Sequence, residues 1–233
     1  MAAALAYALA GFALYQLVVP ALHGEPEPAT RAGPAEAAPP GQVQLPTAPP
    51  DELLALRAVS SRVQQSVYAV RVGGLTRGSG FVAWTSQGRV SFLLTARTAV
   101  ADRGDAELFV KHAQATWPAR VVASDPKTGL ALLRVNTLLD RPLWQQPDNL
   151  AAVRAEAHAV VVPSGKSGAF ADGELAKGAD GFSLRASVGP RYLGAPVVDD
   201  DGRLAGVVVE LREWGALRLV PLSKACGRIR AAC

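Results

Sequence analysis

The chain has 233 residues, 49% of them hydrophobic, with 24 Lys+Arg against 20 Asp+Glu. The basic residues are scattered singly, with no run and no interleaved aromatic pattern, which argues against a nucleic-acid groove. The three histidines and two cysteines fall at no metal-ligand spacing, so neither metal nor cofactor is expected.

Met1 to Leu22 hold no charged residue. A helix of that length rises ~1.5 Å per residue and covers the ~30 Å hydrocarbon layer, which predicts a transmembrane anchor over residues 1–22. A cleaved signal peptide has a shorter apolar run, ~7–15 residues, and a small-x-small site that Ala21-Leu22-His23 lacks. From Gly24 to Pro50 eight of 27 residues are proline and no apolar period exists, so residues 23–50 read as an extended linker. Arg31, Glu25, Glu27 and Glu36 precede Asp51, leaving 23 basic and 17 acidic residues, a formal +6, for residues 51–233.

Asp51 follows two prolines and suits a helix cap, and Leu56, Val59 and Val63 share one face of the helix it would start. The period then changes to that of strands. Six short Val/Leu/Phe-rich runs are expected at Ser66–Val72, Gly80–Trp84, Arg89–Thr95, Glu107–Lys111, Trp117–Ala123 and Leu130–Val135. Pro142 and Pro147 mark an irregular join near Asn136–Asn149. Six more runs follow at His158–Val162, Phe170–Leu175, Gly181–Ala186, Ala195–Val198, Leu204–Glu210 and Ala216–Val220. The expected fold is all-β: two antiparallel six-stranded barrels, about 62–136 and 150–222, with a short C-terminal helix. Asp199-Asp200-Asp201-Gly202 reads as a hairpin turn rather than a calcium loop, which needs further oxygen ligands. Gly165-Lys166-Ser167 lacks the upstream glycine of a phosphate loop. Cys226 and Cys233 would stand ~10 Å apart on a helix, beyond the ~7 Å disulfide limit, so a bond requires unwinding and the sequence decides neither state.

Five stretches carry a family resemblance. Arg77-Gly78-Ser79-Gly80-Phe81-Val82 and Leu93-Leu94-Thr95-Ala96-Arg97-Thr98-Ala99-Val100 resemble the "GSGF" and "ILTNNHVV" stretches of the HtrA/DegP trypsin-like proteases. Ala119 to Val135 resembles "AKVVGSDPKTDLALLKV". Pro190-Arg191-Tyr192-Leu193-Gly194-Ala195-Pro196-Val197-Val198-Asp199 resembles "PGNSGGPLVN", and Leu219-Val220-Pro221-Leu222 resembles "AIPI".

The resemblance places Thr98 at the general-base histidine, Gly129 at the orienting aspartate and Leu193 at the nucleophilic serine. Threonine has no titratable nitrogen, glycine no side chain and leucine no nucleophile, which implies a pseudoprotease rather than an enzyme. The oxyanion-hole positions become Arg191 and Leu193. His112 and His158, each at a strand end, do not map to the cleft, and His23 lies in the linker. With the anchor read over residues 1–22 making a single-pass membrane protein, the resemblance implies an extracytoplasmic domain that binds a protein or an extended peptide, and Arg191, Tyr192 and Leu193 form the candidate contact surface. The alternatives are a peptidase with another nucleophile, such as Ser164 or Ser167, and a purely structural part of a membrane complex.

Overall fold

The computed structural model describes residues 50–86, 89–101, 104–139, 141–144, 154–165, 169–178, 181–186, 188–212, 215–225 and 228–229. The expected anchor 1–22, the linker up to Pro49, Ser167, Cys226 and Cys233 lie outside the described residues. Among the described residues no helix is long and apolar enough to cross a membrane.

Two antiparallel sheets make up the fold. The first joins β1 (Val67–Val72), β2 (Leu75–Ser86), β3 (Val90–Ala96), β4 (Leu108–His112), β5 (Ala115–Pro118), β6 (Arg120–Asp125) and β7 (Leu130–Val135) in the order β5-β4-β1-β2-β3-β7-β6. The second joins β8 (His158–Val161), β9 (Ala171–Glu174), β10 (Ala176–Gly178), β11 (Gly181–Arg185), β12 (Pro196–Val198), β13 (Leu204–Leu211) and β14 (Ala216–Pro221) in the order β10-β11-β14-β13-β12-β8-β9. Each sheet curls around its own apolar interior. Val70, Val82, Leu93, Val110 and Leu133 fill the first, and Ala159, Val161, Leu184, Val208 and Leu217 fill the second.

The expected two-sheet, all-β architecture is present, with two corrections to the strand count. The run expected at Trp117–Ala123 is two strands, because the chain turns a corner at Ala119, whose N–H donates to the Leu108 carbonyl at 2.9 Å. Trp117 therefore pairs with β4 and Val121 with β7. The second addition, β10, is exposed throughout and offers no apolar signal. Among the described residues each sheet accordingly has seven strands, not six. At the C-terminal end, where a short helix is expected, Leu222–Lys224 forms a 3-10 helix and the Ile229 N–H donates to the Ala225 carbonyl at 2.9 Å.

A third apolar cluster lies between the sheets. Phe81, Leu94, Leu130 and Trp144 of the first half meet Val160, Val198, Leu204 and Val207 of the second. The helix α1 (Pro50–Gln64) caps this cluster with the predicted Leu56, Val59 and Val63, and it touches both β1 and β8. Proline at its first position is favourable, since its fixed φ suits a helix start and its missing N–H would have no helical acceptor. The described part of the join has no regular secondary structure, as expected, and is anchored where Leu143 and Trp144 donate their N–H groups to the carbonyls of Val82 and Ala83 of β2.

Because α1 bridges both sheets, its buried face should matter far more than its exposed one. Leu56, 3% exposed, should cost about 2–5 kcal/mol when cut to alanine. Leu54→Ala, at 62% exposure, should stay within about 0.5 kcal/mol of the parent in urea unfolding.

Candidate functional site

The three positions that the resemblance assigned to catalysis come from separate elements and meet in space. β3 ends at Ala96 and a four-residue helix, α2 (Arg97–Val100), follows, leaving Thr98 exposed and Ala99 buried. The Arg97 N–H donates to the Gly129 carbonyl at 2.7 Å. Gly129 ends the tight turn from Asp125, with its N–H on the Asp125 carbonyl at 2.9 Å and φ at +74°. On the other side, a Cβ built on Gly78 of β2 would lie 3.1 Å from the Ala99 Cβ and 3.2 Å from the Leu193 Cβ. Thr98 thus sits between a residue bonded to Gly129 and a residue one small side chain away from Leu193.

Leu193 follows a 3-10 turn, Pro190–Tyr192, whose geometry decides what the loop can do. The Leu193 N–H donates to the Pro190 carbonyl at 3.0 Å, so it is spent inside the turn rather than aimed at a substrate oxygen. Arg191 adopts this turn without entering the positive-φ region, avoiding the strain a non-glycine residue would meet there.

The loop is held against the first sheet by Ser79, which is fully buried. Its N–H donates to the Leu193 carbonyl at 2.6 Å and its Oγ to the Arg191 carbonyl at 2.5 Å. The same Oγ accepts the Ser164 N–H at 2.8 Å, and the Thr95 hydroxyl donates to the Ser79 carbonyl at 2.6 Å. Ser79 belongs to the matched "GSGF" segment, but nothing local to the sequence reveals bonds to residues 85 and 112 positions away.

Several expected contacts need correction. Tyr192 is 5% exposed and packs in the interior of the second sheet, so it is not part of a contact surface. Arg191 is exposed and lies over the Tyr192 ring, 5.7 Å from its centroid, and Leu193 is half-buried. Ser164, 4% exposed and bonded to the Ser79 hydroxyl at 3.0 Å, is a buried structural serine rather than an accessible nucleophile.

Neither described histidine bonds to a serine. His112 Nδ1 meets the Val67 carbonyl at 2.9 Å and its ring packs on Tyr68. His158 lies between two carboxylates, with Nδ1 at 2.6 Å from Asp200 and Nε2 at 3.4 Å from Asp172. Residues missed by sequence reasoning also line the site: Val209 and Arg218 stand 3.4 and 3.7 Å from where a Gly129 Cβ would be. Arg218 donates to Glu210 at 2.6 Å. Among the described residues no cluster of His, Cys, Asp and Glu could hold a metal ion.

Two antiparallel barrel-like sheets, a shared core between them and a loop of the second clamped on the first define the chymotrypsin fold. The sequence profile of the trypsin-like peptidase domain matches residues 78–207, and the chain belongs to that family. Its structure is similar to a serine-to-alanine mutant of Rv3671c from M. tuberculosis H37Rv in its inactive form, with 23% identity and a TM-score of 0.60 over 79% of this chain and 94% of that one. It is also similar to the active form of the Rv3671c protease from M. tuberculosis, with 22% identity and a TM-score of 0.59 over 88% and 93% of the two chains. The MamO protease domain from Magnetospirillum magneticum shares 19% identity and a TM-score of 0.50 over 70% of this chain and 95% of its own. No curated relative matches the chain.

Two expectations follow from this geometry. A Cβ on Gly194, where φ is +76°, would fall 2.1 Å from the Ser79 carbonyl oxygen and 2.4 Å from Thr95 Oγ1. Gly194→Ala should therefore cost about 4 kcal/mol or more, or abolish folding, as read by urea unfolding. For His158, partial burial lowers the pKa, but the hydrogen bond and charge of Asp200, then those of Asp172, outweigh it and hold the imidazole above its usual range. Protonated His158 then stabilises the fold fully below about pH 6.5, and that stability is lost as pH rises through the raised folded value. Asp200→Asn should flatten this slope in melting curves taken across pH 5–9.

Proposed function

We propose that this trypsin-like peptidase domain is catalytically inactive and acts as a protein-binding or scaffolding module. In this reading residues 1–22 hold it in a membrane and residues 23–50 space it from the bilayer on the extracytoplasmic side. The observation that carries the reading is the closed 3-10 turn, in which the Leu193 N–H serves Pro190. A site meant for acyl transfer needs that N–H free for the developing oxyanion, and it needs a nucleophile and a base beside it. Leu193, Thr98 and Gly129 supply neither.

Binding does not require those side chains. β12 pairs with β13 from Leu204 to Val207, and the Gly194 and Ala195 backbone bonds Val208, whereas β13 continues to Leu211, so only the short edge over 209–211 lies beyond the clamped loop. Trypsin-like proteases hold substrates partly by main-chain pairing beside the cleft, and an edge of this kind supports the same pairing with a partner segment. The alternative of a different nucleophile loses support from the burial of Ser164.

The full chain in detergent should neither label with a fluorophosphonate probe nor hydrolyse unfolded casein. The triple variant Thr98→His, Gly129→Asp, Leu193→Ser should remain nearly inactive, because Arg191 still occupies an oxyanion-hole position and the turn still uses the residue-193 N–H. Probe labelling of the parent that disappears with Ser164→Ala would make it an enzyme instead.

A further inference from the structure

We propose that the open end of the first barrel-like sheet binds a small aromatic carboxylate, its ring against His112 and Trp117 and its charge on Arg141. The site shares no residue with positions 98, 129 and 193 or with the Ser79 clamp, so it stands apart from the inactive-domain reading.

A cavity of about 540 Å³ opens where the pairing of β1 with β4 stops. That ladder ends at Ala69 opposite Lys111, whereas β4 and β5 stay paired as far as His112 and Ala115. The hairpin tip therefore overhangs β1. Beyond the last rung the Val67 carbonyl accepts from His112 Nδ1 at 2.9 Å, which fixes the imidazole at the cavity wall. Trp117 pairs with Val110, which makes it the diagonal neighbour of His112 on one face of the hairpin. The two rings flank the buried Tyr68, with centroids 5.0 Å from it for His112 and 5.8 Å for Trp117. Both are only half-buried and line the cavity, so this wall offers aromatic surface.

Residues 138, 139 and 141 supply another part of the wall. The Leu139 N–H donates to Ser91 Oγ at 2.8 Å, and the Arg141 carbonyl accepts the hydroxyl of buried Ser66. These bonds hold Arg141 at the cavity although its φ is +54°, a region that non-glycine residues seldom adopt. Leu138 stands at the same rim with 55% of its surface exposed.

An adjoining cavity of about 620 Å³ shares Gln65, His112 and Ala113 as lining residues. Among the described residues no carboxylate lines either cavity, while Lys111 lines one and Arg141 the other. Neither cation has an ion pair among the described residues. A guanidinium fork suits a carboxylate, and exposed ring faces suit a flat apolar body. The volume lies within the ~300–1,000 Å³ of small-molecule sites, enough for one or two fused rings on a short acidic chain. A cationic ligand would meet like charge, and an alkyl acid would leave the rings without a stacking partner.

The test is a saturation-transfer NMR titration of the full chain in detergent, with empty micelles as the blank. Three probes separate the contacts: indoleacetate, tryptamine, which keeps the ring and reverses the charge, and hexanoate, which keeps the carboxylate without a ring. Indoleacetate should bind saturably and about tenfold or more tighter than either of the others. Arg141→Gly removes the guanidinium at a backbone position that glycine accepts, and Leu138→Glu places a carboxylate on the exposed rim. Each should melt like the parent and weaken indoleacetate about tenfold. Should one of them fail to fold, the other still decides.

No saturable binding of indoleacetate, equal binding of tryptamine or hexanoate, or unchanged affinity in either folded variant would overturn the proposal. None of these outcomes touches the inactive-domain reading, which fluorophosphonate labelling tests separately.

Discussion

The buried hydrogen-bond cluster around Ser79 fixes the geometry of the whole site. One residue of β2 binds the carbonyls of Arg191 and Leu193, receives the N–H of Ser164 and takes the Thr95 hydroxyl on its own carbonyl. Leaving any of these buried groups unpaired would cost on the order of 1–3 kcal/mol, so loop and strand are locked as a unit. Gly194 completes the lock, because only a residue without a Cβ lets the loop lie this close to the Ser79 carbonyl. The path of Pro190–Ala195, and with it the burial of Tyr192 and the exposure of Arg191, follows from that approach.

The clamp acts on two sheets that apolar packing has already joined. Leu56, Val59 and Val63 of α1, Trp144 of the join and facing residues of both sheets form one continuous core, so the helix works as a third wall rather than as a lead-in. Burial of that face outweighs the weak intrinsic stability of a helix of 15 residues. Rigid docking of the sheets is what allows single hydrogen bonds, such as that from Arg97 to Gly129, to hold position across elements.

Most of the architecture was legible because strands write themselves locally. Alternating or continuous apolar runs between Gly, Pro and Asp give β1, β3, β7, β8 and β13 nearly to their observed ends. β10 was not legible, since Ala176–Gly178 has neither apolar character nor burial. The corner at Ala119 was hidden inside an unbroken β-rich run, because what breaks it is the N–H bond to Leu108, a neighbour only in the fold. At the site, the meeting of Thr98, Gly129 and Leu193 was implied by resemblance alone. The Ser79 clamp, the Val209 and Arg218 lining and the inward turn of Tyr192 are long-range facts with no local signature.

The scaffold and the chemistry of such a fold make different demands on sequence, and this separates what persists from what changes. The clamp needs main-chain groups, a small hydroxyl and a glycine, while acyl transfer needs three particular side chains. The hydrogen bonds of the clamp therefore make no use of the side chains at 98, 129 and 193. A Cβ on Gly129 would meet Val209 at ordinary contact distance, but φ at +74° strains any side chain there, and a carboxylate would face Arg218 as well as α2. A guanidinium already paired with Glu210 and only partly exposed would compete for that carboxylate against an imidazole at position 98. In the proposed inactive domain, catalysis is thus absent from the environment of the site as well as from its side chains, so a reverted residue would return to a pocket no longer shaped to use it.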